Sequence, residues 1–192
     1  MKQNVRLGDV LVEIKKGIGK DWANYPVFGA TREGLAPAKE QPGKNPDRYK
    51  PVFPGTIFYN PMRILIGSVA YVDDNDPPGI TSPDYVVFQG KEGIVDSRWF
   101  YYWLRSPLGH ECVISLARGA VRERMLFGRL AEATVTLPDF ETQLRYSHLL
   151  SAAQCEANSI RAAIETQLKD LRQLPHSIVA ASCEATNEFQ ES

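Results

Sequence analysis

Residues 55–88, GTIFYNPMRILIGSVAYVDDNDPPGITSPDYVVF, decide the fold of this chain. The stretch contains three apolar runs rich in β-branched and aromatic residues, at positions 56–59, 64–72 and 85–88. Short runs of this composition, separated by turn residues, are typical of consecutive strands in one sheet. The sequence therefore predicts a β-sheet at the centre of the molecule.

The first two runs are joined by the polar tetrapeptide NPMR, residues 60–63. Proline has no N–H group to donate to a β-ladder, so the tetrapeptide is predicted to form a loop at a strand end. Asparagine can form two hydrogen bonds with adenine, and arginine can do so with guanine. Tyr59, Asn60 and Arg63 are therefore candidate DNA-binding residues, which either read DNA or order the recognition loop. The alternative for Asn60 is that it only caps the turn.

Two basic segments precede the sheet. Residues 15–20, KKGIGK, lack the Gly-Lys-Ser/Thr ending of a phosphate-binding P-loop, and Lys15, Lys16 and Lys20 are candidates for contacts to DNA phosphates. Residues 31–51 contain four prolines and five cations, including Arg32, and are predicted to form a long irregular loop that faces DNA. The alternative for residues 15–20 is an exposed turn, and the alternative for residues 31–51 is a plain surface loop.

A third basic segment follows the sheet, where Arg118, Arg122 and Arg124 lie within seven positions around Gly119. Guanidinium groups match both phosphate oxygens and the O6/N7 edge of guanine. We predict that these arginines and residues 15–20 lie on one DNA-facing surface. Alternatively, the arginines pair with neighbouring glutamates.

The net charge of −1 excludes binding of nucleic acid by bulk positive charge alone. The charge is segregated, however: residues 1–63 carry 11 Lys and Arg against 6 Asp and Glu, and residues 98–129 carry 6 against 2. Residues 64–97 carry 1 against 6, and their acidic turn at 73–78 would be repelled by phosphate. We predict that the basic segments form one positive face and that the acidic turn points away from it. The alternative is that these charges are scattered over the solvated surface.

Residues 97–108 predict a helix, since apolar residues recur there at helical spacing. Ser97 is predicted to cap its start and Pro107 to close it. Its aromatic side chains are predicted to belong to the core rather than to a surface on which bases stack.

The last element, opened by Asp139 or Thr142, is predicted to be a helix of about 50 Å over residues 141–174, which contain neither glycine nor proline. Pro175 is predicted to bend or interrupt it before a short terminal helix. Apolar residues recur there at heptad spacing, as in a coiled coil. The predicted helix interface consists of Leu150, Ile160, Ile164, Leu171, Leu174 and Ile178. This stripe would be left in water on a monomer, so we predict that it packs on another long helix.

A set of short motifs occurs in a defined order along the chain. It consists of FYNPMR at 58–63, Gly67-Ser68, SPDY at 82–85, RGAVR at 118–122, and Leu137-Pro138 with Gln143. The set resembles a target recognition domain of a type I restriction-modification specificity subunit, and the similarity extends over nearly the whole chain. A full specificity subunit has two recognition domains and two spacer helices, and this chain has one of each. It therefore resembles a half-subunit, either a natural one that dimerises or half of a longer chain.

The resemblance implies a DNA-recognition subunit that reads one half of a bipartite target in double-stranded DNA. It also implies two partners, a methyltransferase (modification) subunit and a restriction endonuclease/translocase subunit, which would carry the catalysis. The expected fold class is α+β: a mixed β-sheet recognition globule over residues 1–140, then a long C-terminal coiled-coil spacer helix with a polar tail over 141–192. A homodimer through this helix is expected.

Catalytic, metal and cofactor sites are not expected in this chain. The NPMR tetrapeptide lacks the second proline and the aromatic residue of the adenine methyltransferase motif. His110, His148 and His176 are dispersed, without the spacing of a zinc site or a catalytic triad. Three widely separated cysteines fit neither a disulfide framework nor a CxxC metal site.

The sequence contains no apolar run near the roughly 20 residues that a membrane helix needs, and it predicts a cytoplasmic protein. Two alternatives to the DNA-recognition subunit are considered. One is a recognition fragment of a fused restriction-methylation enzyme, and the other is a coiled-coil scaffold whose globule binds protein. The salt dependence of DNA binding distinguishes the scaffold from the DNA reader.

Overall fold

The computed structural model describes residues 3–40, 42–117 and 124–188. Contacts between Cα atoms divide the chain into two compact units, Met1–Ser147 and His148–Ser192. None of the helices in the described residues is long and apolar enough to span a membrane.

The described residues form short strands, short helices and one long helix. The strands are β1 (Gln3–Arg6), β2 (Leu11–Glu13), β3 (Phe28–Ala30), β4 (Leu35–Pro37), β5 (Lys50–Val52), β6 (Ile57–Tyr59), β7 (Val69–Tyr71), β8 (Gly79–Thr81), β9 (Val86–Gly90) and β10 (Thr134–Leu137). The helices are α1 (Leu7–Val10), α2 (Ser97–Arg105), α3 (Pro107–Ala117), α4 (Phe127–Ala131) and α5 (Phe140–Glu188). The 3₁₀ turns are Gly19–Asn24, Pro46–Arg48 and Ile64–Ile66.

A four-stranded antiparallel sheet in the order β2-β9-β6-β7 forms the centre of the first unit. Three two-stranded sheets surround it: β1-β10, β3-β4 and β5-β8. The prediction of an α+β protein with a long C-terminal helix is confirmed. Strands β2 and β6 run in one direction and β7 and β9 in the other, so the residues that follow β2 and β6 share an end of the sheet with those that precede β7 and β9.

The central strand β6 is buried on both faces. Ile57 and Tyr59 belong to one apolar cluster, whereas Phe58 belongs to a second cluster, and all three side chains are 0% exposed. Successive residues of a strand point to opposite faces, so a strand covered on both sides has a continuous apolar sequence instead of an alternating one. Phe88 of β9 packs edge to face against both Tyr59 and Phe100 of α2, which places this helix on the first face.

The predicted strand at residues 64–72 is only partly correct, because its first half is a 3₁₀ turn and only Val69–Tyr71 is a strand. The carbonyl of Asn60 accepts hydrogen bonds from the N–H groups of Arg63 and Ile64, which extends the turn beyond the tetrapeptide. Gly67 then adopts a φ of +83°, a conformation that glycine adopts without steric cost. Hydrophobicity alone does not separate an apolar 3₁₀ turn from a strand.

Residues 31–51, predicted to be irregular, contain β4 and β5. Pro51 lies within β5, opposite Ile80 of β8. β5 pairs only with β8 and is therefore an edge strand, where a missing N–H group is tolerated. The prediction of an irregular segment is therefore wrong for residues 35–37 and 50–51.

The start of α2 differs from the prediction. The Asp96 carboxylate, not Ser97, caps the helix, since its Oδ1 accepts a hydrogen bond from the Trp99 N–H at 2.7 Å. The Ser97 hydroxyl instead accepts a hydrogen bond from the Gly90 N–H. Pro107 both follows the end of α2 and begins α3, a position at which a helix tolerates proline.

The long helix α5 begins after Asp139, whose carboxylate accepts a hydrogen bond from the Thr142 N–H at 3.0 Å. This confirms Asp139 as the residue that opens it. The helix continues through Pro175, contrary to the predicted interruption, and its 49 residues correspond to about 74 Å. Proline removes one N–H donor from a helix but does not end it when the flanking turns remain helical.

A single buried side chain joins the first turn of α5 to the globule. The Gln143 carboxamide is 1% exposed; its oxygen accepts a hydrogen bond from the Asp96 N–H at 2.9 Å. Its nitrogen donates to the carbonyl oxygens of Ile94 and Pro138, at 3.0 and 2.9 Å. In the described residues, all hydrogen bonds of this buried carboxamide are to backbone groups. They hold the first turn of α5 against the loops at residues 94–96 and at Pro138.

We therefore expect Gln143→Ala to lower the free energy of unfolding by about 2–4 kcal/mol, because it leaves buried backbone groups unpaired and creates a cavity. Urea denaturation measures this loss. Gln154→Ala is the matched control on the exposed part of α5, where the loss should stay below about 0.5 kcal/mol. Equal losses in the two variants would contradict the role of Gln143.

Candidate nucleic-acid interface

One end of the four-stranded sheet collects most of the predicted DNA-binding residues. Lys15 and Lys16 follow β2, and residues 60–63 follow β6. These two strands are separated by β9 alone, so their ends lie about 10 Å apart at the usual spacing of neighbouring strands. Lys15, Lys16 and Arg63 are exposed, and Asn60 is half-buried.

The tetrapeptide at residues 60–63 is a hydrogen-bonded turn. The Asn60 side-chain oxygen accepts a hydrogen bond from the Met62 N–H at 2.9 Å. Asn60 therefore caps the turn, as the alternative interpretation of the sequence proposed. The Pro61 carbonyl accepts a hydrogen bond from the Met125 N–H at 3.0 Å. This bond brings the exposed Arg124 to the same turn.

Arg32 reaches the same end of the sheet from a distant part of the chain. Its Nε donates to the carbonyl oxygen of Ile66, shortly before β7, at 3.0 Å. We call this end of the sheet the basic end. Its members are Lys15, Lys16, Arg32, Asn60, Arg63 and Arg124.

Backbone contacts with residues 46–49 hold the loop at residues 15–20 in place. The Ile18 N–H donates to the Tyr49 carbonyl at 2.7 Å. A Cβ on Gly17 would lie 2.6 Å from the Asp47 carbonyl oxygen, so glycine permits the close approach to the Pro46–Arg48 turn. Lys20 lies exposed in the Gly19–Asn24 turn.

Two groups moderate the charge near this loop. Lys15 forms an ion pair with Glu13 at 3.1 Å. Lys50 donates to the Tyr85 carbonyl at 2.6 Å, and burial lowers the pKa of its ammonium group, although Glu13 and Asp84 oppose that shift. Lys50 thus supports the start of β9, and in the described residues Lys16 and Lys20 are the loop lysines without an ion pair.

The structure contradicts the assignment of Tyr59 as a DNA-contacting residue. Its side chain is 0% exposed, and its hydroxyl is buried without a hydrogen-bond partner in the described residues. Burial raises the pKa of this hydroxyl, and the negative charge of Glu13 adds to the shift. Because side chains alternate along β6, that of Tyr59 points into the core, where it supports the turn at residues 60–63.

The opposite end of the sheet is acidic. Asp73 and Asp74 follow β7 there, and the Arg98 guanidinium donates to them at 2.6 and 2.9 Å. Burial opposes the charge of Arg98, but its interactions with Tyr71, Asp73 and Asp74 outweigh that effect and raise its pKa. The acidic turn therefore lies at the end of the sheet away from the basic end, which agrees with the predicted segregation.

Two further basic residues at the basic end were not predicted. The Arg105 Nη2 donates to the Arg32 carbonyl at 2.5 Å, and the His110 Nε2 lies 2.9 Å from the Leu65 carbonyl. The sequence contained no signal for either, because the partners are 73 and 45 positions away. Arg118 and Arg122 lie outside the described residues.

No group of three or more His, Cys, Asp or Glu side chains in the described residues is arranged to hold a metal ion. The basic end instead offers guanidinium, ammonium and amide groups on a buried sheet. These groups can donate hydrogen bonds to phosphate oxygens or base edges.

We expect Asn60→Ala to lower the free energy of unfolding by about 1 kcal/mol, because the Met62 N–H loses its side-chain acceptor. Asn60→Asp retains an acceptor and should retain the stability. Asn75→Ala, in the exposed acidic turn, is the control and should change it by less than about 0.5 kcal/mol. Urea denaturation of the three variants tests this; a stable Asn60→Ala variant would show that the cap is dispensable.

Comparison with known proteins identifies the fold. No protein-family model and no curated protein matches the sequence. The HsdS subunit from Thermoanaerobacter tengcongensis superposes with a TM-score of 0.59 and 17% sequence identity, covering 90% of this chain and 47% of that chain. A chain from a structural study of complex assembly and conformational transition of the type I R-M system matches with a TM-score of 0.57 and 16% identity, over the same shares. The chain therefore has the fold of a type I restriction-modification HsdS specificity subunit, over about half the length of that subunit.

Proposed function

We propose that this chain is a DNA-recognition (specificity) subunit of a type I restriction-modification complex and reads one half of a bipartite target. The observation that carries the proposal is the structural match to HsdS subunits over 90% of the chain. Residues 1–147 make up a smaller share of the chain than this, so the match also includes part of α5 beyond residue 147.

The separation of charge supports a DNA-binding role for the globule. Strands β2 and β6 run toward the basic end, and Arg98 neutralises part of the acidic turn at the other end. In the part of the chain that the structure describes, Arg32, Arg63 and Arg124 form no ion pair. Unpaired exposed cations are free to displace counterions from DNA.

Under this proposal the chain has no catalytic activity of its own. A methyltransferase (modification) subunit and a restriction endonuclease/translocase subunit would dock on it and supply the chemistry in the cytoplasm. S-adenosylmethionine, ATP and Mg²⁺ would bind to those partners.

We expect the chain to bind a random-sequence duplex with an affinity that falls steeply with salt. If four to six cations reach phosphates, the plot of log affinity against log salt has a slope of about −4 to −5. Replacing Lys15, Lys16 and Arg63 by Ala should reduce the slope by about 2 to 3. Fluorescence anisotropy measures both values.

The matched control replaces three cations of α5, Arg161, Lys169 and Arg172, by Ala. This variant has the same net charge as the first and should retain the wild-type slope. A wild-type chain without salt-dependent binding would favour the protein-binding scaffold.

The apolar stripe of α5 supports assembly through this helix. Leu150, Ile160, Ile164, Leu171, Leu174 and Ile178 are between 40% and 63% exposed. Leu168 and Val179 widen the apolar surface. Burying one such side chain contributes roughly 1.5–3 kcal/mol, so a partner helix would stabilise the chain substantially.

A second copy of the chain is the proposed partner. The chain spans 47% of the length of the solved specificity subunits, so two copies would supply the two halves of such a subunit. Antiparallel pairing of two helices would place one globule at each end. A spacer of about 50 Å, the length predicted for residues 141–174, would separate the half-sites by about 15 base pairs, whereas the full α5 of about 74 Å would separate them by about 22. The target would be an inverted repeat with a fixed gap, and Gln167 in the stripe would set the register.

We expect the chain to sediment as a dimer at micromolar concentration and the Ile164→Asp, Leu171→Asp variant as a monomer, because carboxylates in the seam would be desolvated. Ala162→Asp with Thr166→Asp adds the same charge outside the seam and should remain dimeric. Analytical ultracentrifugation distinguishes these results. A monomeric wild-type chain would overturn the homodimer and leave the stripe for another partner.

A further inference from the structure

A cleft of about 200 Å³ opens at the basic end between the Ile64–Ile66 turn and helices α2 and α3. Its polar lining consists of Arg32, Arg105 and His110, and its walls include Ile64, Leu104 and Val113. Among the residues that the structure describes, no acidic side chain lines it. A cleft with cationic groups on apolar walls favours an anion, since the walls reduce the screening of charge by water.

Each basic group of the cleft is fixed by hydrogen bonds to the protein. The Arg105 Nη1 donates to the Tyr101 hydroxyl at 3.0 Å, and the Nη2 donates to the Arg32 carbonyl at 2.5 Å. Arg105 also stacks over the Tyr101 ring, with its guanidinium carbon 5.2 Å from the ring centroid. Arg105 is therefore engaged with its own protein and orients the backbone of Arg32.

Arg32 is the group that remains available. Its Nε is bound to the Ile66 carbonyl, whereas neither Nη has a hydrogen-bond partner in the described residues. His110 holds the neighbouring Leu65 carbonyl, and because a carbonyl only accepts, its Nε2 carries the proton. Arg32 and His110 thus both bind carbonyl groups of the Ile64–Ile66 turn. These bonds fix the position of Arg32 and leave its two Nη groups free to bind a ligand.

We propose that Arg32 binds a backbone phosphate of DNA in this cleft and that Arg105 is its positioning residue. The inference deepens the proposed function and depends on it. The two free Nη groups match two phosphate oxygens, and the fixed Nε lowers the entropy lost when they bind. A phosphate contact at this point would hold the turn at residues 60–63 against the DNA without reading a base.

The test measures binding of the full chain to a random-sequence duplex as a function of salt. Arg32→Ala should weaken binding about tenfold on every sequence and reduce the salt slope by about 0.9. Arg32→Lys should keep the slope and lose part of the affinity, because lysine keeps the charge without the planar fork. Lys91→Ala removes one charge directly after β9, at the end of the sheet away from the basic end, and should leave both values unchanged.

A double-mutant cycle tests the role of Arg105. If Arg105 acts through Arg32, the Arg32→Ala, Arg105→Ala variant should bind as weakly as Arg32→Ala alone, whereas a general loss of structure would add a further decrease. Circular dichroism and urea denaturation verify that each variant is folded. A fully additive cycle would overturn the positioning role.

The outcomes separate this inference from the proposed function. If the wild-type chain binds DNA and Arg32→Ala leaves the affinity and the salt slope unchanged, the proposed phosphate contact in the cleft is wrong. The DNA-binding function would then still stand. If Arg32→Ala changes the preferred sequence but not the slope, the contact is to a base and the phosphate assignment is wrong. If the wild-type chain does not bind duplex, both are wrong, and titration with inorganic phosphate, monitored by the NMR signal of the Arg32 Nε–H, shows whether the cleft takes free phosphate.

Discussion

The rest of the globule depends on the pairing of β6 with a strand on each side. Tyr59 is paired with Val69 of β7 and with Val86 of β9, and the side chains of β6 fill the cores on both faces. A shift by one residue would exchange the two faces, so burial on both sides holds the register strongly. The order and direction of the strands then decide which loops share an end of the sheet, and hence which charges lie together.

Helix α2 carries one arginine to the acidic end of the sheet and another to the basic end. Arg98, in its first turn, binds the acidic turn after β7, and Arg105, in its last, reaches Arg32 and comes within 3.5 Å of the Val69 carbonyl. The nine residues of the helix span about 13 Å, somewhat more than a Debye length at physiological salt. Repulsion between the acidic turn and a ligand at the basic end is therefore weakened by distance and by Arg98. A nearly neutral chain can in this way present a positive surface.

The two units use their apolar residues differently. In the globule, apolar side chains form two buried clusters, and the Gln143 carboxamide uses all of its hydrogen bonds to hold the start of α5. In the described part of the second unit, the large apolar side chains are exposed. Most helices in proteins gain their stability from packing of an apolar face, and this part of α5 leaves that face exposed.

The sequence by itself determined the elements that depend on local chemistry. Residues 56–59 and 85–88 have the composition of buried strands, Asp139 is a typical helix cap, and the absence of glycine and proline from residues 141–174 predicted a long helix. The ordered motifs also led to the correct fold. Each of these signals lies within a few residues of the structure that it specifies.

Only the tertiary structure decided which residues meet. The bond between Arg105 and the Arg32 carbonyl joins positions 73 apart, and Tyr59 is buried because a neighbouring strand and helix cover its face. The same holds for Ser97, whose hydroxyl serves the Gly90 N–H instead of its own helix. Local sequence restricts the backbone at each position, but hydrogen bonds and burial between distant segments depend on strand order and register, which the whole core sets together.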